Sequence, residues 1–255
     1  MITIKNQLEI GKMRKGGKIL AEILAKLQKA SKPGFSTGRL EILARDLMRE
    51  KNVRAAFMGF SDRGHKKVFP TALCISVNHE LVHTPAFPSR VFKEGDLVSI
   101  DCGVEYEKFY SDAAISFCVG QGSALAKKLI KVTKKSLEYG IRQVKNGAFL
   151  GDISAAIQKY VEKNGFAVIR SLVGHGIGRM LHEDPPIPNF GKAGEGIKLK
   201  KGMALAIEPM VSVGSFEIET LEDGWTIVTK DRSLAAHFEH TIIVGERKAE
   251  ILTKV

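Results

Sequence analysis

The sequence predicts an α+β fold, a pseudo-twofold antiparallel sheet with helices on its outer face. Three observations carry that prediction. Two helical segments followed by strand-like segments occur twice over along the 255 residues. The strands are joined by connections of hairpin length, which antiparallel pairing permits and parallel pairing does not. A short repeat is also visible in the letters: Lys32-Pro33-Gly34-Phe35-Ser36-Thr37-Gly38-Arg39-Leu40 lines up position for position with Lys145-Asn146-Gly147-Ala148-Phe149-Leu150-Gly151-Asp152-Ile153, each joining two helices. No Gly/Ser-rich linker or low-complexity run interrupts the chain. We therefore expect a single domain over 1–255 with related halves of about 1–120 and 121–255.

The elements follow in order. Residues 7–30 read as a helix, with Ile10, Met13, Leu20, Ile23, Leu24 and Leu27 on one face. Gly16 and Gly17 weaken its middle, and Lys32-Pro33-Gly34 ends it. Ser36 or Thr37 caps a second helix over 37–51, with Leu40, Leu43, Leu47 and Met48 inward. Strands are expected over 53–60 and 71–78, on either side of a polar loop at 61–67. A Pro-containing loop, 83–95, leads to two strands within 97–119 that turn near Tyr106–Lys108. The second half opens with helices over 123–144 and 152–164, the latter capped by Asp152. Strands follow over 166–173, 203–213, 216–221, 225–229, 237–244 and 249–253, and Asp223-Gly224 is a strong hairpin-turn signal.

Four acids interrupt apolar strand-like runs: Asp101, Asp112, Glu208 and Glu239. A buried carboxylate is costly unless something compensates it, and no Lys or Arg lies in the adjacent apolar letters. A hairpin centred between Asp101 and Asp112 brings the two across from each other, so a shared proton or a cation is expected there. His175, inside Gly174-His175-Gly176-Ile177-Gly178, adds a nitrogen donor whose flanking glycines permit close approach. One histidine with four carboxylates suits Mn, Fe, Co or Zn as divalent ions, and a surplus of carboxylates favours two ions sharing a hydroxide. Taken singly, each acid reads better as a structural residue; the joint pattern favours a metal site. His83 and His182, beside proline-containing turns, read singly as surface loop residues. His65, His79, His237 and His240 carry no further signal, although His240 is expected to face away from Glu239.

Composition bounds the rest. The longest apolar runs are about six residues, far short of a membrane span. The start of the chain turns polar at once, without a signal-peptide core. Cys74, Cys102 and Cys118 lie in apolar contexts and read as buried thiols in a reducing cytosol, so a cytoplasmic location is expected. The net charge of +11 admits either a polyanionic partner, such as a ribosome, or scattered lysines that keep the chain soluble. No aromatic-interleaved basic motif of the RNA-binding kind is present.

Over essentially its full length the sequence resembles the type I methionine aminopeptidases of the bacterial kind. The carrying motifs are Ser99-Ile100-Asp101, Tyr110-Ser111-Asp112, Gly174-His175-Gly176-Ile177-Gly178, Leu181-His182-Glu183, Ala206-Ile207-Glu208-Pro209-Met210, Asp223-Gly224-Trp225 and Phe238-Glu239-His240-Thr241. The resemblance implies the pita-bread (creatinase/aminopeptidase-like) fold. It implies a dinuclear hydrolase that removes the initiator methionine from nascent polypeptide N-termini. Asp112 and Glu239 would bridge two divalent ions, Asp101 would chelate one, and His175 and Glu208 would complete the other. A bridging hydroxide would attack the scissile carbonyl, with Glu208 as proton shuttle. His182 and His83 would contact the peptide at the cleavage point.

The positions matching the family's methionine pocket are Phe60, Phe69, Cys74, Leu181 and Trp225, for which plain core packing is the competing reading. Closure beside the second residue implies a preference for Gly, Ala or Ser there. Bacterial members usually carry tyrosines where Phe60 and Phe69 stand, and often Cys-His-Gly where this chain has Val82-His83-Thr84. The segment Ser61–Val68 looks longer than its counterpart. Neither the large type II insertion nor an N-terminal zinc-binding or proline-rich extension is expected. The expected form is a monomer without membrane contact. Two other readings compete: a proline-specific peptidase of the same fold, which usually carries an extra N-terminal domain, and a non-catalytic pita-bread module, which loses metal ligands.

Overall fold

The first helix, α1 (Gln7–Ala30), is closed at its start by Asn6, whose side chain accepts from the Leu8 and Glu9 amides at 3.0 Å while Glu9 accepts from the Asn6 amide. The structure, a computed structural model, describes residues 2–61 and 68–254. Gly16 and Gly17 do not break α1. A Cβ at Gly17 would stand 2.7 Å from the Leu252 carbonyl oxygen, so glycine there lets the helix lie against the C-terminal segment. Helix α2 (Thr37–Glu50) follows, capped by Ser36. Its buried Glu41 accepts from the Ala72 and Leu73 amides and from Arg45, tying α2 to the next strands.

Strands β1 (Arg54–Ala55), β2 (Leu73–Val77), β3 (Glu80–Val82), β4 (Leu97–Tyr106) and β5 (Phe109–Cys118) complete the first half. The strand expected over 53–60 is only two residues long. Beyond Ala55 the chain turns so that the Gly59 amide donates to the Phe69 carbonyl and the Phe69 amide to the Phe60 carbonyl. The β4–β5 turn places Glu107 and Lys108 both at positive φ, the twist that suits a two-residue hairpin. Helices α3 (Ala124–Arg142) and α4 (Leu150–Lys163) open the second half. Asp152 is not the cap of α4. It sits in the first turn, and its carboxylate accepts from the Phe149 amide at 2.9 Å. The aligned segments noted in the sequence are locally alike: Gly34 donates to Phe92 and Gly147 to Leu199, and Ser36 and Phe149 each bridge an extended neighbour, Val91 and Lys198.

The remaining strands are shorter than the sequence suggests. They are β6 (Ala167–Val168), β7 (Val173–Gly176), β8 (Glu183–Pro188), β9 (Ala204–Ile207), β10 (Met210–Ser212), β11 (Ile218–Thr220), β12 (Ile227–Thr229), β13 (Ala235–His237), β14 (His240–Ile243) and β15 (Glu250–Ile251). The run 203–213 breaks at Glu208-Pro209, where proline cannot donate to a ladder. The run 237–244 breaks at Phe238-Glu239. No strand is expected from the proline-rich letters of β8; it is tolerated because it lies at the edge of the order β15-β14-β9-β7-β8.

Helices pack on one side of the strands in both halves. Leu20, Ile23, Leu27, Leu40 and Leu47 meet Leu73, Ile75, Ile100 and Val104 in one core. Leu129, Val132, Ile153 and Ile157 meet Leu205, Ile207, Val211 and Ile242 in another. Each such side chain contributes about 1.5–3 kcal/mol on burial. The halves are stitched along β5: the Glu239 amide donates to the Ala114 carbonyl, and Ser116 exchanges two hydrogen bonds with the His237 backbone. No described helix is long and apolar enough to cross a membrane. The three cysteines are unpaired; Cys74 and Cys102 are buried as expected, but Cys118 is partly exposed.

Candidate active site

The four acids, His175, His83 and His182 line one cavity of about 130 Å³, together with Phe57, Phe60, Phe69, Cys74, Leu181 and Trp225. Every residue singled out from the sequence as a site candidate is thus brought to one place. Asp101 lies on β4, in register with Cys74 on β2 and Ala114 on β5. Asp112 on β5 faces Gly103, so the two aspartates are diagonal neighbours on one face of the hairpin and not directly opposed. A Cβ at Gly103 would fall 2.8 Å from the Phe57 ring and 3.4 Å from Asp112 Oδ1. Glycine there leaves room for the Phe57 ring and for Ala56, whose Cβ would be 2.9 Å away. Thr241 holds Asp112 from the other half, accepting from its amide and donating to its carbonyl, both at 2.8 Å.

His175 is paired with Ala206 at a bulge in β7. Its Nδ1 lies 2.8 Å from the Gly176 carbonyl, an arrangement that places the hydrogen on Nδ1 and leaves Nε2 as a lone pair facing the cavity. The flanking glycines serve packing. A Cβ at Gly174 would meet the Ala206 carbonyl at 2.4 Å and one at Gly176 the Asp184 carbonyl at 2.1 Å. Glu208 and Glu239 are not mid-strand, as the sequence suggested, but stand in the breaks between β9 and β10 and between β13 and β14. Freed from the ladder, their side chains turn into the cavity. His175 Nε2 is 3.6 Å from Glu208 Oε1. The His182 ring stands edge-on to His175 and to Phe60, with centroids 4.5 and 5.0 Å apart. His83 follows β3 at φ 58°. His240 turns away from the site as expected, its Nδ1 2.9 Å from Thr253 Oγ1.

The electrostatics call for a cation. Burial, followed by the neighbouring carboxylates, pushes the Asp101 and Glu239 acids well above the ordinary range, and burial with Asp112 does the same to Glu208. Asp112 is raised to about 7, chiefly by burial. Burial lowers His175 to about 3, so it is neutral and able to ligate. Asp101 Oδ1 and Glu239 Oε1 are buried with no hydrogen-bond partner. Ligand atoms of Asp112, His175 and Glu239 lie within 4.8 Å of one another. Orphaned carboxylate oxygens beside a neutral imidazole fit a divalent ion of the Mn, Fe, Co or Zn kind.

Stability should report this. Folded-state values above the unfolded ones, near 4 for carboxyls, favour the fold while the acids are protonated; that contribution is lost as pH rises through about 7. The thermal midpoint of metal-stripped protein should therefore fall between about pH 5 and 8. A divalent ion, which binds the deprotonated site, should offset that fall. Parallel melting curves for stripped and loaded protein across that range would contradict it.

The apolar end of the cavity is an aromatic corner. Phe69 stands edge-on to Trp225 (5.2 Å) and to Phe57 (6.4 Å). Burial and the Asp101 charge push the Cys74 thiol well up, so it remains protonated and acts as wall. These side chains form a satellite core with Ile177 and Leu181, so packing and pocket roles coincide. Of the segment Ser61–Val68, residues 62–67 lie outside the described residues. Two lining or adjoining residues were missed from sequence. Phe57 was read as part of a strand. His237 carried no local signal, yet its Nε2 lies 3.5 Å from Glu208 Oε2.

The chain has known relatives. The model of metallopeptidase family M24 matches residues 11–246. A methionine aminopeptidase of Clostridium perfringens is 48% identical over the full length of both chains. The chain belongs to the methionine aminopeptidases of family M24. The crystal structure of a methionine aminopeptidase from Thermotoga maritima superposes with a TM-score of 0.96 at 48% identity, covering all of both chains. The X-Pro aminopeptidase of the same organism, at 19% identity, matches with a TM-score of 0.76 over 99% of this chain and 62% of its own. That likeness is one of fold alone. The architecture is the pita-bread fold, and this M24 member is a metal-dependent aminopeptidase.

Proposed function

We propose that this chain, as one undivided domain built of two related halves, removes N-terminal methionine from nascent polypeptides at a dinuclear site. The observation that carries the proposal is the convergence of five side chains able to ligate a metal on an aromatic-walled cavity that is also lined by two exposed histidines, His83 and His182. Asp112 and Glu239 would hold both ions, Asp101 one, and His175 with Glu208 the other. When bound, the ions supply a hydroxide at neutral pH and polarise the scissile carbonyl. Glu208 would accept the proton of the attacking water and carry it to the departing amine. His182 and His83 would orient the peptide at the cleaved bond.

The methionine side chain would lie among Phe60, Phe69, Cys74, Leu181 and Trp225. A cavity of about 130 Å³ is close to one of about 150 Å³ that admits a benzene. With no hydroxyl on Phe60 or Phe69, the contact is by shape and burial. Closure beside the second residue would restrict it to Gly, Ala or Ser. We expect Met-Ala-Ser to be cleaved about 100-fold or more faster than Met-Leu-Ser. Equal rates would remove the size argument, and preferential cleavage before proline would favour a proline-specific peptidase. The enzyme is read as a cytoplasmic monomer, and the net charge of +11 supports docking to ribosomes. Co-sedimentation with ribosomes should weaken as salt is added, and salt-independent binding would rule out an electrostatic origin.

A further inference from the structure

We propose that His237 is a positioning residue for Glu208, holding one carboxylate oxygen so that the other is turned to the metal. The inference rests on the reading of Glu208 as a ligand. Glu208 is bracketed: Oε1 is 3.6 Å from His175 Nε2 on the cavity side, and Oε2 is 3.5 Å from His237 Nε2 behind it. The His237 side chain is 2% exposed and does not line the cavity. Both of its ring nitrogens are buried without a hydrogen bond. A buried polar group left without a partner is costly, and the Glu208 carboxylate is within reach to supply one.

Its backbone is fixed from two sides. Ser116 Oγ accepts from the His237 amide at 2.9 Å and donates to its carbonyl at 2.7 Å, and Ser116 is itself 2.7 Å from Ser99 Oγ. Residue 237 is in register with Met210, two residues beyond Glu208. Asn189 Nδ2 donates to the Glu208 carbonyl at 2.9 Å, which anchors the backbone at the break. With both backbones held, an N–H on His237 Nε2, 3.5 Å from Glu208 Oε2, faces the rear carboxylate oxygen. That contact would make Glu208 a one-oxygen ligand and leave its front oxygen beside His175. Outer contacts of this kind commonly change metal affinity by about 10–100-fold.

The test uses metal-stripped full-length protein titrated with cobalt(II), followed by visible absorption and calorimetry. His237→Leu, of similar bulk but with no donor, should weaken cobalt binding at the His175 side about 10-fold or more and change the cobalt absorption band. His237→Gln, which keeps a donor, should restore affinity to within about threefold. His237→Met replaces the leucine variant if that one does not give the parent circular dichroism spectrum. Unchanged cobalt affinity in the donor-less variant overturns the inference, as does equal loss in the leucine and glutamine variants. Glu208→Gln separates the two readings. If it binds cobalt like the parent, Glu208 is no ligand; if it loses cobalt while His237→Leu does not, the positioning role alone fails.

Discussion

Glu239→Ala should reduce peptide cleavage to below about one-thousandth of the parent rate while leaving the fold in place. Glu239 is 2% exposed, its Oε1 has no protein partner, and it shares a cluster with Asp112 and His175. Truncation removes a donor that the proposed site places on both ions, so metal binding and turnover fall together. Among the described residues no hydrogen bond to Oε1 ties the carboxylate to the fold. The backbone tie from Glu239 to Ala114 and the Thr241 contacts to Asp112 persist in the variant. Removing a buried acid that resists ionisation also relieves a desolvation cost. Metal-free parent and variant should therefore melt alike, or the variant slightly higher. Turnover and bound metal measured on the same samples decide it, and undiminished cleavage by a metal-stripped Glu239→Ala sample would sink the mechanism.

Lys5→Met should cost about 3–5 kcal/mol of folding stability, because it strands a buried carboxylate. Lys5 Nζ lies 2.6 Å from Glu183 Oε2, with the two side chains 3% and 2% exposed. Glu183 also accepts from Thr3 Oγ1 at 2.6 Å and from the Arg179 and Met180 amides at 2.6 and 3.2 Å. These contacts hold its carboxyl below the usual range despite burial. The pair thus fastens the N-terminal segment to the turn that presents Leu181 and His182. Loss of the lysine leaves the charge with neutral donors only. Equilibrium unfolding in guanidinium chloride should show a lower midpoint, and KM should rise as His182 loosens. The double variant Lys5→Met/Glu183→Leu should recover much of the loss, since replacing both partners removes the desolvation cost. An unchanged midpoint for the single variant would show that the pair contributes nothing.

The helices were legible because their signals are local: period, Ser36 at the start of the second, and Pro33-Gly34 past the end of the first. The acids were legible because Asp101, Asp112, Glu208 and Glu239 stand in apolar letters where a charge is costly. The strand breaks were not. Pro209 announces one, but the break at Phe238-Glu239 has no local cause and follows from how β13 and β14 join different sheets. β8 was hidden by its prolines, which only an edge position permits. His237 was invisible because its meaning lies in Glu208, which long-range pairing of β10 with β13 delivers. Phe57 was hidden by a turn that depends on Phe69.

The clasp between Thr241 and Asp112 has a consequence for the order of events at synthesis. Asp101 and Asp112 belong to the half that is made first; His175, Glu208 and Glu239 come later, and Thr241 later still. On the proposed ligand set, a chain whose translation has stopped before Glu239 lacks one of the two acids that would hold both ions. On that ligand set, ion capture would coincide with the docking of the last strands, and an ion that binds only the finished form would add its affinity to the stability of that form. Loading with metal would then favour the finished molecule over an incomplete one.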